Sequence, residues 1–278
     1  MLPATLPVLI PWWEPAVYHL GPIPIDPWAV LVCIGFVVGM EVARARGISI
    51  GLDTRDVVDG AVFIVLLGFV VAHWVHVVAY NPELMELDGQ FDMMTAGKEL
   101  LNPFGGVSSN GGFLGAVIGT ILFYTLIRKR DFWIHADNGM YGFVFGYVFG
   151  RLGCFSVHDH PGATIEEVPW LSFMMVDWQP GPARLDMALV EACWLALIAL
   201  VFFAVNRKWK GSHGKFIALW CMLYAPVRFG LDFLRAVDRR LWLGLTPAQY
   251  GSILMFVAGA VIIVRLWKKR SEGEEPSP

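Results

Sequence analysis

Seven long apolar runs constrain this chain more than any other feature. They cover approximately Trp28–Val42, Val57–Tyr80, Gly111–Ile127, Gly139–Val157, Asp186–Val205, Phe216–Leu234 and Tyr250–Trp267. A helix needs roughly 20 mostly apolar residues to cross a bilayer core, and most of these runs approach that length. The first is short and is expected to begin before Trp28 and to tilt little. None alternates with period two, which argues against a membrane barrel. The expected fold is an all-α membrane protein with seven transmembrane helices. It forms a single polytopic domain over 1–270, followed by a disordered polar tail at 271–278 (SEGEEPSP).

Composition enters as an exclusion. Only 16% of the residues are charged, against about 25% in soluble domains, so too little charge exists to coat a globule of 278 residues. The same shortage excludes intrinsic disorder. With a net charge of -3 the chain lacks the basic field that holds nucleic acid. Cys33, Cys154, Cys193 and Cys221 sit far apart in apolar runs and read as small buried hydrophobes.

Lysine and arginine give the expected orientation. One side carries Arg44, Arg46 and Arg55, then Arg128, Lys129 and Arg130, then Arg207, Lys208, Lys210 and Lys215, then Arg265, Lys268, Lys269 and Arg270. The other has Lys98, Arg184, Arg235, Arg239 and Arg240. By the positive-inside rule the C-terminus is cytoplasmic and the N-terminus outside. The two long loops, about 81–110 and 158–185, then lie outside with little obvious structure, and such loops are more often functional than idle.

Charges inside apolar helices are costly and mark interior sites. Arg151 closes the fourth run between Gly150 and Gly153, followed by Ser156–Gly162 (SVHDHPG). Arg228, Asp232 and Arg235 share one helix face at i, i+4, i+7, and Glu191 is a further buried acid in the fifth run. Two readings stand. In one, Arg228–Asp232 and Arg151–Glu191 are structural ion pairs. In the other, the guanidiniums form a phosphate site near the outer headgroup level, with the acids orienting them. The histidines offer a separate possibility. His73 and His76 lie near one another on one helix, and His158, Asp159 and His160 follow the fourth run. If those elements neighbour each other, they could gather ligands for zinc, iron or copper. Gly142, Gly146 and Gly150, four apart, make a small-residue face suited to close helix packing.

In order and spacing these residues resemble the prolipoprotein diacylglyceryl transferase family. Gly150-Arg151-Leu152-Gly153-Cys154-Phe155, running on to Asp159 and Gly162, is similar to the family signature. So are Gly21-Pro22-Ile23 before the first helix and Gly105-Gly106 followed by Ser108-Ser109-Asn110-Gly111-Gly112. Arg184 to Glu191 and Tyr224 through Arg228, Asp232 and Arg235 match later segments. The family histidine proposed as base is Asn110 here, the signature asparagine is Cys154, a tyrosine early in the first helix is Trp28, and a His-Pro-Ser segment is Leu185-Asp186-Met187. A basic and a tyrosyl position late in the second helix appear as His73 and His76.

The resemblance implies a multi-pass enzyme of the bacterial inner membrane. It would move a diacylglyceryl group from phosphatidylglycerol to the lipobox cysteine of a prolipoprotein, releasing glycerol-1-phosphate and using no cofactor and no metal. Its partners would be phosphatidylglycerol, the prolipoprotein signal peptide and the bilayer. Arg151 and Arg228 would act on the leaving phosphate, with His158 or His160 as base. Arg235, Asn110, Gly162, Glu191 and Asp232 would complete the substrate site. Two alternatives are a paralogue that binds phospholipid or the lipoprotein signal without transfer, and a metal-dependent membrane oxidoreductase using His73, His76, His158 and His160.

Overall fold

The computed structural model describes residues 10–21, 23–102, 105–178, 181–209, 211, 213–235 and 243–271. Pro22, Lys210, Arg239, Arg240 and residues 272–278 of the expected tail lie outside the described residues. Among the described residues seven helices are long and apolar enough to cross a membrane: Pro27–Ser49, Thr54–Tyr80, Ser109–Ile127, Phe132–Val157, Met187–Asn206, Lys215–Leu234 and Pro247–Lys269.

In chain order the elements begin with a small hairpin, β1 (Tyr18–Leu20) and β2 (Ile23–Ile25), and helix α1 (Pro27–Ser49). Next come α2 (Thr54–Val75), continued by a π-helical turn at His76–Tyr80, and a 3-10 turn at Pro82–Met85. The short strands β3 (Glu86–Leu87) and β4 (Gln90–Phe91), then α3 (Met93–Leu100), lead to α4 (Ser109–Ile121), which runs on as a π turn to Ile127. Helix α5 (Phe132–Val157) is followed by β5 (Pro161–Thr164), a 3-10 turn at Pro169–Met174, β6 (Met175–Val176) and β7 (Arg184–Asp186). Helices α6 (Met187–Asn206), α7 (Lys215–Leu231) with a 3-10 turn at Asp232–Leu234, and α8 (Pro247–Ser271) complete the chain.

Local chemistry sets the helix starts. Asp26 accepts from the Ala29 amide with Pro27 in the first turn of α1, Asp53 caps α2, Asp92 caps α3 and Ser108 caps α4, as expected for short polar side chains at N-caps. Helix α1 ends two turns beyond the apolar run, because apolarity reports where a helix meets lipid and says nothing of where it stops. Arg44 and Arg46, beyond the end of the apolar run, lie within it. Residue 271, expected to open the tail, is the last residue of α8. Both long loops carry more structure than their sequences suggest. The 158–185 segment, together with β7, builds a three-stranded antiparallel sheet in the order β5-β7-β6. Pro161 pairs with Asp186, Thr164 and Val176 with Arg184, and Met175 with Leu185.

The chain gathers into two compact units, Met1–Ile50 with Asp137–Pro278, and Gly51–Ala136. In the first unit α5, α6 and α7 enclose a core of Tyr141, Val144, Leu195, Ile198, Phe202, Phe216 and Trp220. At one end of it, buried Arg46 donates to Asn206 Oδ1 at 2.9 Å, Asn138 Oδ1 at 3.1 Å and the Trp209 carbonyl at 3.2 Å, tying α1 to α5 and to the end of α6. Glycine lets α1 and α5 approach to backbone contact. A Cβ at Gly35 would lie 2.6 Å from the Gly146 carbonyl, and one at Gly142 would overlap the Gly39 carbonyl. Gly150, on the same stripe, meets only Tyr147 at ordinary distance, so it lies beside the seam, which continues at Gly153, where a Cβ would lie 3.2 Å from the Trp28 carbonyl of α1. Gly142→Leu should therefore destabilise the protein by about 1–3 kcal/mol, the usual cost of overpacking, while Gly150→Ala is expected to be mild. Thermal denaturation of the two variants in detergent would separate them, and equal melting temperatures would sink the assignment of the seam. In the second unit Gly111, Gly115 and Gly119 of α4 pack in the same way on Ala72, Gly68 and Ile64 of α2.

Candidate functional site

Arg151 sits two turns before the end of α5, Glu191 in the second turn of α6, and Arg228 near the end of α7. A single carboxylate joins them. Arg151 Nε lies 2.7 Å from Glu191 Oε2, and Arg228 Nε lies 3.1 Å from Glu191 Oε1. Both ion pairs of the structural reading exist, since Arg228 Nη1 is also 3.3 Å from Asp232 Oδ1. The third contact, Arg228 to Glu191, is what brings two spans' guanidiniums to one point. Arg235 Nη1 faces the same Asp232 Oδ1 at 3.7 Å.

Among the described residues the bonded cluster thus holds three guanidiniums against two carboxylates, a surplus of one positive charge. Side-chain exposure rises from 7% at Arg151 through 16% at Arg228 to 36% at Arg235, so the cluster opens toward Arg235, beyond the end of α7. Each guanidinium has five N–H donors. The contacts above use Nε and Nη2 of Arg151, Nε and Nη1 of Arg228 and Nη1 of Arg235, leaving donor capacity for an anion.

Two phenols support the pair, and sequence analysis gave them no role. Tyr147 OH accepts from Arg151 Nη2 at 2.6 Å and Nε at 3.0 Å, and lies 3.3 Å from Tyr224 OH. Tyr224 OH donates to Glu191 Oε1 at 3.0 Å and its ring stacks on Trp220. Each tyrosine precedes its arginine by four residues, the spacing that makes helix neighbours, and that was the available signal. Behind Arg228, Asp232 Oδ2 accepts from the hydroxyl of Thr246. Thr246-Pro247-Ala248-Gln249 is a capping-box pattern legible in sequence.

Gly162 is buried and pairs backbone to backbone with Arg235. A Cβ there would lie 2.7 Å from Met187 Sδ, 2.9 Å from the Leu185 carbonyl and 3.0 Å from the Leu234 carbonyl. This glycine locates the Arg235 backbone against the sheet.

The two histidines after α5 keep different company. His158 is 3% exposed and adopts a left-handed φ of 52°. Its Nδ1 is 3.0 Å from Asp186 Oδ2, its ring packs against Trp12, Trp13, Phe155 and Trp178, and its buried Nε2 has no hydrogen-bond partner among the described residues. Asp186 also caps α6 through the amides of Ala188 and Leu189. Burial raises the pKa of its carboxyl from the ordinary value, against the pull of His158 and those amides. His160 is more open, bonds Asp159 through Nδ1, and groups with Asp159 and Cys154, whose ligand atoms all lie within 4.8 Å of one another. Of the metal ligands considered from sequence, His160 and Asp159 share this group, and Cys154, three residues along α5 from Arg151, takes the place given to His158.

In the second unit, His73 holds the Gly106 carbonyl at 3.0 Å and the Glu99 carbonyl at 2.8 Å, one with each ring nitrogen. His76 lies 3.1 Å from Asn81 Nδ2. A Cβ on Gly105 would collide with the His73 ring, and one on Gly106 with the His76 ring, which is why this turn is glycine. Asn110, exposed in the first turn of α4, donates to Tyr80 OH at 2.6 Å.

The model of the family described as prolipoprotein diacylglyceryl transferase matches residues 15–265. A phosphatidylglycerol–prolipoprotein diacylglyceryl transferase of Campylobacter hominis is 30% identical over 196 residues, 66% of this chain and 68% of its own length. Proteins of the same name from Mannheimia succiniciproducens and Corynebacterium diphtheriae are 27% and 26% identical, covering 94% and 92% of this chain and 96% and 94% of their own lengths.

Proposed function

We propose, because this chain belongs to the prolipoprotein diacylglyceryl transferase family, that it transfers a diacylglyceryl group from phosphatidylglycerol to the lipobox cysteine of a prolipoprotein in the bacterial inner membrane. The sulfur attacks the glyceryl carbon that bears the phosphate. A carbon–sulfur bond forms, the carbon–oxygen bond to phosphate breaks, and glycerol-1-phosphate leaves with one more negative charge than it carried as a diester. The observation that carries this reading is the bridging of Arg151 and Arg228 by Glu191, with a net positive charge among the described residues of the cluster.

Fixed donors aimed where charge develops stabilise the transition state more than the ground state. The diester's single charge matches the surplus, and the charge that appears on bond cleavage is met by donors already held in place. Arg235, the most open of the three, receives the headgroup, and Asp232 and Glu191 keep the guanidiniums from rotating away. Asn110 cannot accept the thiol proton, because a carboxamide does not titrate. The thiol must lose that proton to become a good nucleophile.

His160 fits that task better than His158. It is accessible, has a carboxylate on Nδ1 that leaves Nε2 for the proton, and lies by Cys154 next to the Arg151 turn. His158, boxed by aromatics and bonded to the cap of α6, holds the sheet to α6 instead. The test uses purified protein, phosphatidylglycerol micelles and a lipobox peptide. Glycerol-1-phosphate release with a thioether product is expected, and His160→Gln should slow it by roughly 10²–10⁴-fold, the usual contribution of a positioned base. A His160→Gln enzyme at parental rate would remove the base assignment. Lipid binding without release would replace transfer by docking.

A further inference from the structure

Asp232 divides its two oxygens between different elements. Oδ1 faces Arg228 Nη1 at 3.3 Å and Arg235 Nη1 at 3.7 Å, while Oδ2 accepts from the hydroxyl of Thr246 at the start of α8. Thr246 is meanwhile occupied as a helix cap. Its amide donates to Gln249 Oε1 at 3.0 Å and its Oγ1 accepts from the Gln249 amide at 3.2 Å. A capping box needs only the lone pair of the threonine oxygen. The hydroxyl proton is left over, and here it goes to the carboxylate. Asp232, Thr246 and Gln249 are 0%, 4% and 1% exposed, so bulk water does not compete for that oxygen.

This matters because a carboxylate with both oxygens available forms a two-pronged pair with arginine, the geometry guanidinium prefers. Such a pair would occupy two N–H groups of one arginine and neutralise it. With Thr246 on Oδ2, the described contacts of both arginines fall on Oδ1, which Arg228 and Arg235 share. We propose that Thr246 is a positioning residue for the anion site: by taking one oxygen of Asp232 it keeps Arg228 and Arg235 from being captured by their own counter-ion, so that their remaining donors face the lipid phosphate. This inference rests on reading the arginine cluster as the phosphate site. Thr246 caps a helix that, among the described residues, contributes no charge to the cluster.

The experiment compares Thr246→Val, Thr246→Ser and Gln249→Ala in the full-length protein, with dioleoyl phosphatidylglycerol in mixed micelles and a lipobox peptide. Thr246→Val removes the donated proton at nearly constant volume and should raise KM for the lipid about tenfold, one charge-assisted hydrogen bond expressed as affinity, with kcat changing less than about threefold. Thr246→Ser keeps the proton and should return KM to within about twofold of the parent. Gln249→Ala weakens the cap but leaves the bond to Asp232, so it should lower the melting temperature without moving KM. Where the valine protein does not fold, Thr246→Ala reads the same quantity.

A valine variant with parental KM overturns the proposal. So does a Gln249→Ala variant whose KM rises as much as that of valine, since the effect would then belong to the cap. Arg228→Lys serves as the control on the underlying reading. If it too leaves KM and rate unchanged, the phosphate site itself is wrong; if it is impaired while Thr246→Val is normal, only the role of Thr246 falls.

Discussion

Arg151→Lys should slow glycerol-1-phosphate release by about two to three orders of magnitude, as measured in a single-turnover assay with saturating lipid and peptide. Charge alone does not explain what Arg151 does. Its planar fork reaches Glu191 Oε2 at 2.7 Å and Tyr147 OH at 2.6 Å through different nitrogens, and an ammonium is a point charge that cannot span both. Lysine would keep the cation and the ion pair yet lose the orientation that aims donors at the leaving oxygen. Removing one fixed donor of this kind costs about 3–4 kcal/mol of transition-state stabilisation. Because the charge is retained, lipid binding should fall much less than rate, and the separation of the two readouts is the informative result. A lysine enzyme within tenfold of the parental rate would mean that Arg151 is only a counter-ion for Glu191.

Glu191→Gln should have the largest effect on the fold itself. Glu191 is 4% exposed and accepts from Arg151, Arg228 and Tyr224. An amide in its place leaves buried Arg151 and partly buried Arg228 facing each other without their shared counter-ion, and breaking a buried ion pair by removing one partner costs about 3–5 kcal/mol. Much of that cost is repulsion, so adding Arg228→Gln should recover part of the lost stability even though the double variant carries two changes at the site. Unfolding in detergent, followed by tryptophan fluorescence, reads both. A double variant no more stable than Glu191→Gln alone would show that the cost is lost packing and not uncompensated charge.

The membrane spans were legible because length and apolarity are properties of a single helix. The charged residues were legible for a related reason: acids and arginines are scarce in apolar runs, so Arg151, Glu191, Arg228, Asp232 and Arg235 stood out. Tyr147 and Tyr224 did not, since aromatics are common throughout these helices and only their bonds to Arg151 and Glu191 set them apart. Strands of two to four residues, such as β5 to β7, are too short to show alternation, and the sheet they form could not be read from the loop sequence. Thr246 and Gln249 form a readable cap, yet the bond from Thr246 to Asp232 joins two elements that no local pattern connects.

Spacing along one helix brings Arg228 to Asp232 at i, i+4, but Arg235, expected on the same helix face, lies past the 3-10 turn in extended backbone bridged to Gly162, so tertiary structure and not helix periodicity sets its place beside Asp232. Which helix supplies the partner is another matter. The division of Glu191 between Arg151 and Arg228, and of Asp186 between His158 and the cap of α6, depends on which surfaces of α5, α6 and α7 abut. In a soluble protein polarity would mark those surfaces. Here the lipid-facing side is as apolar as the interior: Phe202 is 0% exposed and its neighbour Phe203 is 69% exposed. Side-chain chemistry therefore cannot distinguish the two faces of α6, and only packing decided that Glu191 points inward at both arginines.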